Sequence, residues 1–152
     1  MRISVVIPSY NRRHTLERAL QSVFAQTCRV NEVILVDDGS TDGSSEMVRQ
    51  LFPEVIVLKQ PNLGVSAARN RGIAKARCEW IALLDSDDSW LPQKIDQIRK
   101  AHQLEPDFVL YHSDEIWIRH GVRVNPMQNT ASAVAGYLNN ACLCVQYRHR
   151  PR

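Results

Sequence analysis

An apolar run, Trp80-Ile81-Ala82-Leu83-Leu84, stops on three carboxylates within four residues, Asp85, Asp87 and Asp88. A segment this short and this apolar reads as an internal strand, which must have neighbouring strands on its edges and cover on both faces. The rest of the chain supplies them. Ile3 to Ile7 is a β-branched run, and Arg13 to Gln26 follows with Leu16, Leu20, Val23 and Phe24 in a helical stripe. Glu32 to Val36 and Val55 to Leu58 read as further strands, and Ser44 to Phe52 and Val65 to Ala76 as further helices. Four βα repeats imply an α/β fold with a parallel sheet, in which ligands bind beyond the carboxyl ends of the strands. Pro8 to Asn11, Asp37 to Asp42 and Asp85 to Asp88 all fall at that edge.

Side chains of an extended chain alternate faces, so Asp85 and Asp87 are expected to point the same way. Carboxylates this close repel unless a cation lies between them. Hard oxygen ligands suit magnesium or manganese, ions that also hold phosphate oxygens. The same Asp-Ser-Asp-Asp stretch would equally serve as a polar turn and helix cap. Thr15 or Asn11 is the expected cap of the first helix, Asp42 of the second, and Asp88 of a helix from Leu91 to about Leu104.

A chain of 152 residues with 44% hydrophobic and 23% charged residues has the composition of one domain with a real core. A net charge of +3, with basic residues clustered only at the very end, gives no footprint for nucleic acid. Cys28, Cys78, Cys142 and Cys144 lack zinc-type spacing and outline no disulfide scaffold, so reduced thiols in a cytoplasmic protein are expected. The amino terminus is too brief for a signal peptide and no segment has the length of a membrane span. Any membrane association is expected to be peripheral, at the inner face. A phosphoryl-accepting receiver domain also gathers acidic residues around magnesium. Its acidic pair follows the first strand, whereas here a full βα unit precedes Asp37-Asp38.

Four motifs stand in order: Ser4-Val5-Val6-Ile7-Pro8-Ser9-Tyr10-Asn11, Val36-Asp37-Asp38-Gly39-Ser40-Thr41-Asp42, Gly64-Val65-Ser66-Ala67-Ala68-Arg69-Asn70 and Leu84-Asp85-Ser86-Asp87-Asp88. Together they closely resemble the nucleotide-sugar-binding half of family 2 glycosyltransferases, over about residues 1 to 127. The resemblance implies a GT-A fold, a nucleotide-diphosphate-sugar donor and a divalent metal, manganese or magnesium. It places Pro8, Tyr10 and Asn11 in the base and ribose pocket and gives Asp38 a hydrogen bond from base or ribose. It sends Arg69 to the phosphates, where a guanidinium fork suits the geometry. Asp85 and Asp87 match the family's D-x-D, with Asp87 on the metal and Asp85 on ribose or a metal-bound water. Arg71 and Lys75 are expected to face solvent.

Sugar transfer also needs a general base for the acceptor hydroxyl. In inverting members this is a carboxylate of the second half, and Asp114 and Glu115, after the strand Phe108 to Tyr111, come too early for it. The base is therefore unassigned, and His112, which could meet the metal or substrate, is read as a packed or solvent-bridging side chain. The acceptor, a glycan, lipid or protein, is open. Residues 128 to 152 depart from the family pattern. They are read as an atypical tail arising from a shifted reading frame, which leaves a domain incomplete at the carboxyl end and an exposed strand edge prone to self-association. The alternative function is a catalytically incomplete nucleotide-sugar-binding fragment.

Overall fold

The computed structural model describes residues 1–113, 116–120 and 122–124, together with the backbone of 137–138 and 146–148. Four βα units lead the chain: β1 (Ile3–Ser9), α1 (Arg13–Phe24), β2 (Glu32–Asp37), α2 (Ser44–Leu51), β3 (Ile56–Lys59), α3 (Val65–Lys75), β4 (Trp80–Leu83) and α4 (Lys94–Leu104). They are followed by β5 (Leu110–Ser113), a hairpin of β6 (Trp117–Arg119) and β7 (Val122–Val124), and the short strands β8 (Tyr137–Leu138) and β9 (Gln146–Arg148). The main sheet runs β3-β2-β1-β4-β9-β5-β8. Strands β3, β2, β1 and β4 are mutually parallel, and β9 enters antiparallel between β4 and β5.

Alternation along β1 explains the two layers. Ile3, Val5 and Ile7 face a core shared with Leu16, Leu20 and Val23 of α1, Val48 of α2 and Ile95 and Ile98 of α4. On the opposite face, Ile34 and Val36 of β2 meet Ala68 of α3. Here the helix lies close to the sheet: a Cβ on Gly72 would stand 2.3 Å from Val6 Cγ1. No other residue fits that contact without displacing the strand.

Three local expectations are corrected. The cap position of α1 is Arg12, without a side-chain cap bond, because Asn11 takes a left-handed φ of 51° and spends its side chain elsewhere. The helix after the acidic turn begins at Lys94 rather than Leu91, and Gln93 rather than Asp88 holds its cap position. The cause is α1. Gln26 Nε2 donates to the Leu91 carbonyl (2.8 Å) and the Thr27 N–H to the Pro92 carbonyl (2.9 Å), which holds residues 91 and 92 as a bracket against α1. Finally, Asp85 and Asp87 do not lie on an extended strand. β4 ends at Leu83 and the chain turns, with the Asp88 N–H donating to the Asp85 carbonyl at 3.1 Å.

Behind that turn, Trp90 is buried and its backbone N–H donates to Ser22 Oγ at 3.0 Å. Lys94 is buried too, with Nζ 5.5 Å from the Trp90 ring centroid and donating to Ser113 Oγ at 2.7 Å. The acidic turn is thus anchored to α1, and α4 to β5. The strand expected at Phe108 to Tyr111 falls at Leu110–Ser113, two residues later, with Tyr111 packed on Trp80 at 5.5 Å between centroids.

Candidate functional site

Strands β2, β1 and β4 are neighbours, so the loops after Ser9, Asp37 and Leu83 emerge side by side. They enclose a cleft of about 260 Å³ lined by Pro8, Ser9, Tyr10, Arg12, Asp38, Val65, Ala68, Asp85, Ser86 and Asp87. Five of the seven expected site residues, Pro8, Tyr10, Asp38, Asp85 and Asp87, are therefore brought together from three separate motifs. Tyr10 leaves 47% of its surface exposed, which keeps a ring face open for stacking.

Asp38 is buried, and its carboxylate organises the loop before α3. Oδ1 accepts from Gln60 Nε2 at 2.7 Å and the Leu63 N–H at 2.9 Å, and Oδ2 accepts from the Gly64 N–H at 2.8 Å. Burial pushes the carboxyl up, but these three donors outweigh it and hold it below its ordinary value. A carboxylate has about four acceptor sites, so Oδ2 retains one. Asp37 is committed to the loop: Oδ1 accepts from the Ser40 N–H at 2.8 Å and Oδ2 from the Ser45 hydroxyl. Asp42, expected as the cap of α2, stands one residue before the cap position, which Gly43 holds in a left-handed conformation, and accepts from the Ser44 N–H at 3.0 Å.

Asn11 is not among the residues lining the cleft. Its N–H donates to Ser40 Oγ (3.0 Å) and its Oδ1 accepts from the Thr41 N–H (2.9 Å), which ties the β1 loop to the β2 loop. Arg69 stands one shell back. Its Nη2 is 2.5 Å from Asp85 Oδ1, with a third of the side chain exposed, and its buried Nε has no hydrogen-bond partner among the described residues. Arg71 and Lys75 face solvent, as expected.

Asp85 and Asp87 present hard oxygens at the rim, with 43% and 53% of their side chains exposed. Arg12 Nη2 lies 3.8 Å from Asp87 Oδ2, and Arg18 Nη2 donates to the Asp87 carbonyl at 2.7 Å. No group of three or more acidic, His or Cys side chains suited to a metal occurs among the described residues. Two exposed carboxylates still fit magnesium or manganese, which commonly take one or two carboxylates and fill the remaining positions with phosphate oxygens and water. Asp114 and Glu115 lie outside the described residues, as do Cys142 and Cys144. Cys28 and Cys78 are free thiols, and no described helix is long and apolar enough to cross a membrane.

A larger cavity, about 630 Å³, opens beside Val23, Phe24, Val33 and Phe52 at the amino ends of the strands. It holds none of the motif residues, and its size does not make it the functional site.

The sequence profile of glycosyl transferase family 2 matches residues 4–145, past the boundary expected at 127, and the chain belongs to that family. An uncharacterized glycosyltransferase of Nostoc sp. is 42% identical over 121 residues, which cover 76% of this chain and 38% of the relative. An Escherichia coli relative, the UDP-Glc:alpha-D-GlcNAc-diphosphoundecaprenol beta-1,3-glucosyltransferase WfaP, is 30% identical over 150 residues, 94% of this chain and 59% of that protein. The chain thus spans roughly two fifths to three fifths of the length of these relatives. Among solved structures, S. aureus TarS 1-349 in complex with UDP superposes with a TM-score of 0.72 at 23% identity, covering 83% of this chain and 38% of that one. The mannosyltransferase PcManGT from Pyrobaculum calidifontis, in complex with GDP-Man and Mn2+, gives 0.65 at 24%, covering 75% and 35%. These likenesses establish the α/β GT-A fold.

Proposed function

We propose that this chain forms the donor-binding part of a metal-assisted glycosyltransferase that moves a sugar from a nucleotide-diphosphate-sugar to an acceptor hydroxyl. The observation that carries the reading is the cleft itself, in which Tyr10, Asp38, Asp85 and Asp87 meet from three strand ends. Tyr10 stacks on the base, Pro8 forms the pocket wall, and the remaining acceptor site of Asp38 takes a base or ribose donor. Asn11 contributes by holding the pocket's two loops together rather than by contact. Arg69 orients Asp85 and shares its charge with the donor's phosphates.

Asp87, with Asp85 beside it, would hold magnesium or manganese, which when bound acts as a Lewis acid on the leaving diphosphate. The complexes of TarS with UDP and of PcManGT with GDP-Man and Mn2+ support a donor and cation of this kind. The likeness to WfaP supports a sugar carried on diphosphoundecaprenol as acceptor. The test is calorimetric titration of uridine and guanosine diphosphates with manganese, followed by a transfer assay across nucleotide sugars. Absence of any metal-dependent diphosphate binding would falsify the reading.

All three carboxylates that line the cleft stand at the ends of β2 and β4, at positions this reading gives to the donor, and leave none in the cleft for an acceptor base. That observation favours a second reading, a donor-binding module without turnover. Diphosphate binding with neither transfer nor donor hydrolysis would select it.

A further inference from the structure

We propose that Arg12, on the loop between β1 and α1, is a ligand of the donor's diphosphate. The inference deepens the proposed function and rests on it. The first argument is charge. Asp38, Asp85 and Asp87 line the cleft, and Arg12 is the one cationic side chain among the described residues that line it. A diphosphate entering between three carboxylates meets repulsion that one divalent cation, and Arg69 set back behind Asp85, only partly offset, so a positive charge on the wall itself is favoured.

The second argument is geometry. Arg18 commits Nη2 to the Asp87 carbonyl at 2.7 Å, and Arg69 lies 2.5 Å from Asp85 Oδ1. Both are engaged at hydrogen-bond distance. Arg12 is not: its Nη2 stands 3.8 Å from Asp87 Oδ2, beyond a hydrogen bond, and 48% of its side chain is exposed. A pair this long and this wet holds its partners weakly, whereas phosphate oxygens match a guanidinium fork two at a time. Arg12 therefore exchanges Asp87 for the diphosphate when the donor binds, and Asp87 is released to the cation.

The third argument is anchoring. Arg12 occupies the cap position of α1, and its carbonyl accepts from the Thr15 and Leu16 N–H groups at 3.0 and 2.9 Å. The backbone at Arg12 is fixed while its side chain is free to swing, which is what a phosphate arm needs.

The experiment is isothermal titration of the whole chain, as wild type, Arg12→Ala and Arg12→Lys, with a nucleoside and with its diphosphate, in manganese and in chelator. Thermal unfolding of each variant checks the fold. Arg12→Ala is expected to lose about 10- to 100-fold in diphosphate affinity, the worth of a charge-assisted hydrogen bond, with nucleoside affinity unchanged. Arg12→Lys is expected to fall between, since it keeps the charge and loses the fork. Diphosphate affinity of Arg12→Ala equal to wild type overturns this inference alone, and so does a parallel loss for the nucleoside. Wild-type protein that binds no diphosphate overturns the functional reading, and the inference with it.

Discussion

Arg69 and Asp85, sixteen positions apart, meet at 2.5 Å and join α3 to the acidic turn after β4. Helix α3 lies on one face of the sheet and the turn continues a strand within it, so this contact fixes the height of the acidic turn over the cleft. It also means that Asp85 is already partly neutralised by the protein, which leaves Asp87 as the carboxylate with more charge to offer a cation.

That asymmetry predicts the response to substitution. Asp87→Ala should weaken nucleoside-diphosphate binding strongly in manganese and little in chelator. Titration under both conditions decides it, and equal manganese affinity for variant and wild type would remove Asp87 from the metal site.

Arg69→Ala should weaken diphosphate binding in manganese and in chelator alike, by about tenfold, because the positive charge that Arg69 lends the phosphates from behind Asp85 is lost whether or not a cation is present. A loss confined to manganese would instead make Arg69 a positioning residue acting only through Asp85.

Asp38 gives a pH prediction. Its folded carboxyl is held below the ordinary value of 3.8, so the unfolded chain binds the proton more readily. Its contribution to stability is therefore whole above pH 3.8 and is lost as pH falls through the lower folded value. Asp38→Asn should cost roughly 1–3 kcal/mol near neutral pH by leaving buried donors poorly matched, and its stability should fall less steeply through the acid range. Urea unfolding of both proteins across that range measures the difference, and parallel pH curves would show that Asp38 does not carry it.

Gly72→Ala should destabilise by about 1–3 kcal/mol through overpacking, since the added methyl would stand 2.3 Å from Val6 Cγ1 and 3.2 Å from Val36 Cγ2. A lowered Tm with little change in diphosphate affinity at low temperature is the expected pattern. An unchanged Tm would mean that α3 lifts off the sheet without cost.

Much of this was legible in the sequence, because strand and helix periodicities are local, and three of the four motifs close a strand while the Gly64 motif opens α3. The apolar runs at Ile3 and Trp80 mark β1 and β4, and the residues that follow them reach the same cleft. What escaped was set by contacts distant in sequence. Leu91 and Pro92 look like the first turn of a helix until Gln26 and Thr27 claim their carbonyls from 65 residues away. Asn11 sits inside a motif as though it met ligand, yet its amide oxygen is spent on Thr41, thirty residues on. Arg12 carries no signal of its own, since only the fold brings it near Asp87.

The reciprocal bonds between Asn11 and the Ser40-Thr41 pair make one jaw of two loops that belong to different strands. Neither loop is then a free module. A chimera that imports the segment after β1 from a relative, but keeps the native segment after β2, would match an amide on one side with whatever the other side happens to present. On the proposed function, donor preference is inherited by pairs of loops, and grafting experiments that aim to change it should move residues 8 to 13 and 39 to 43 together.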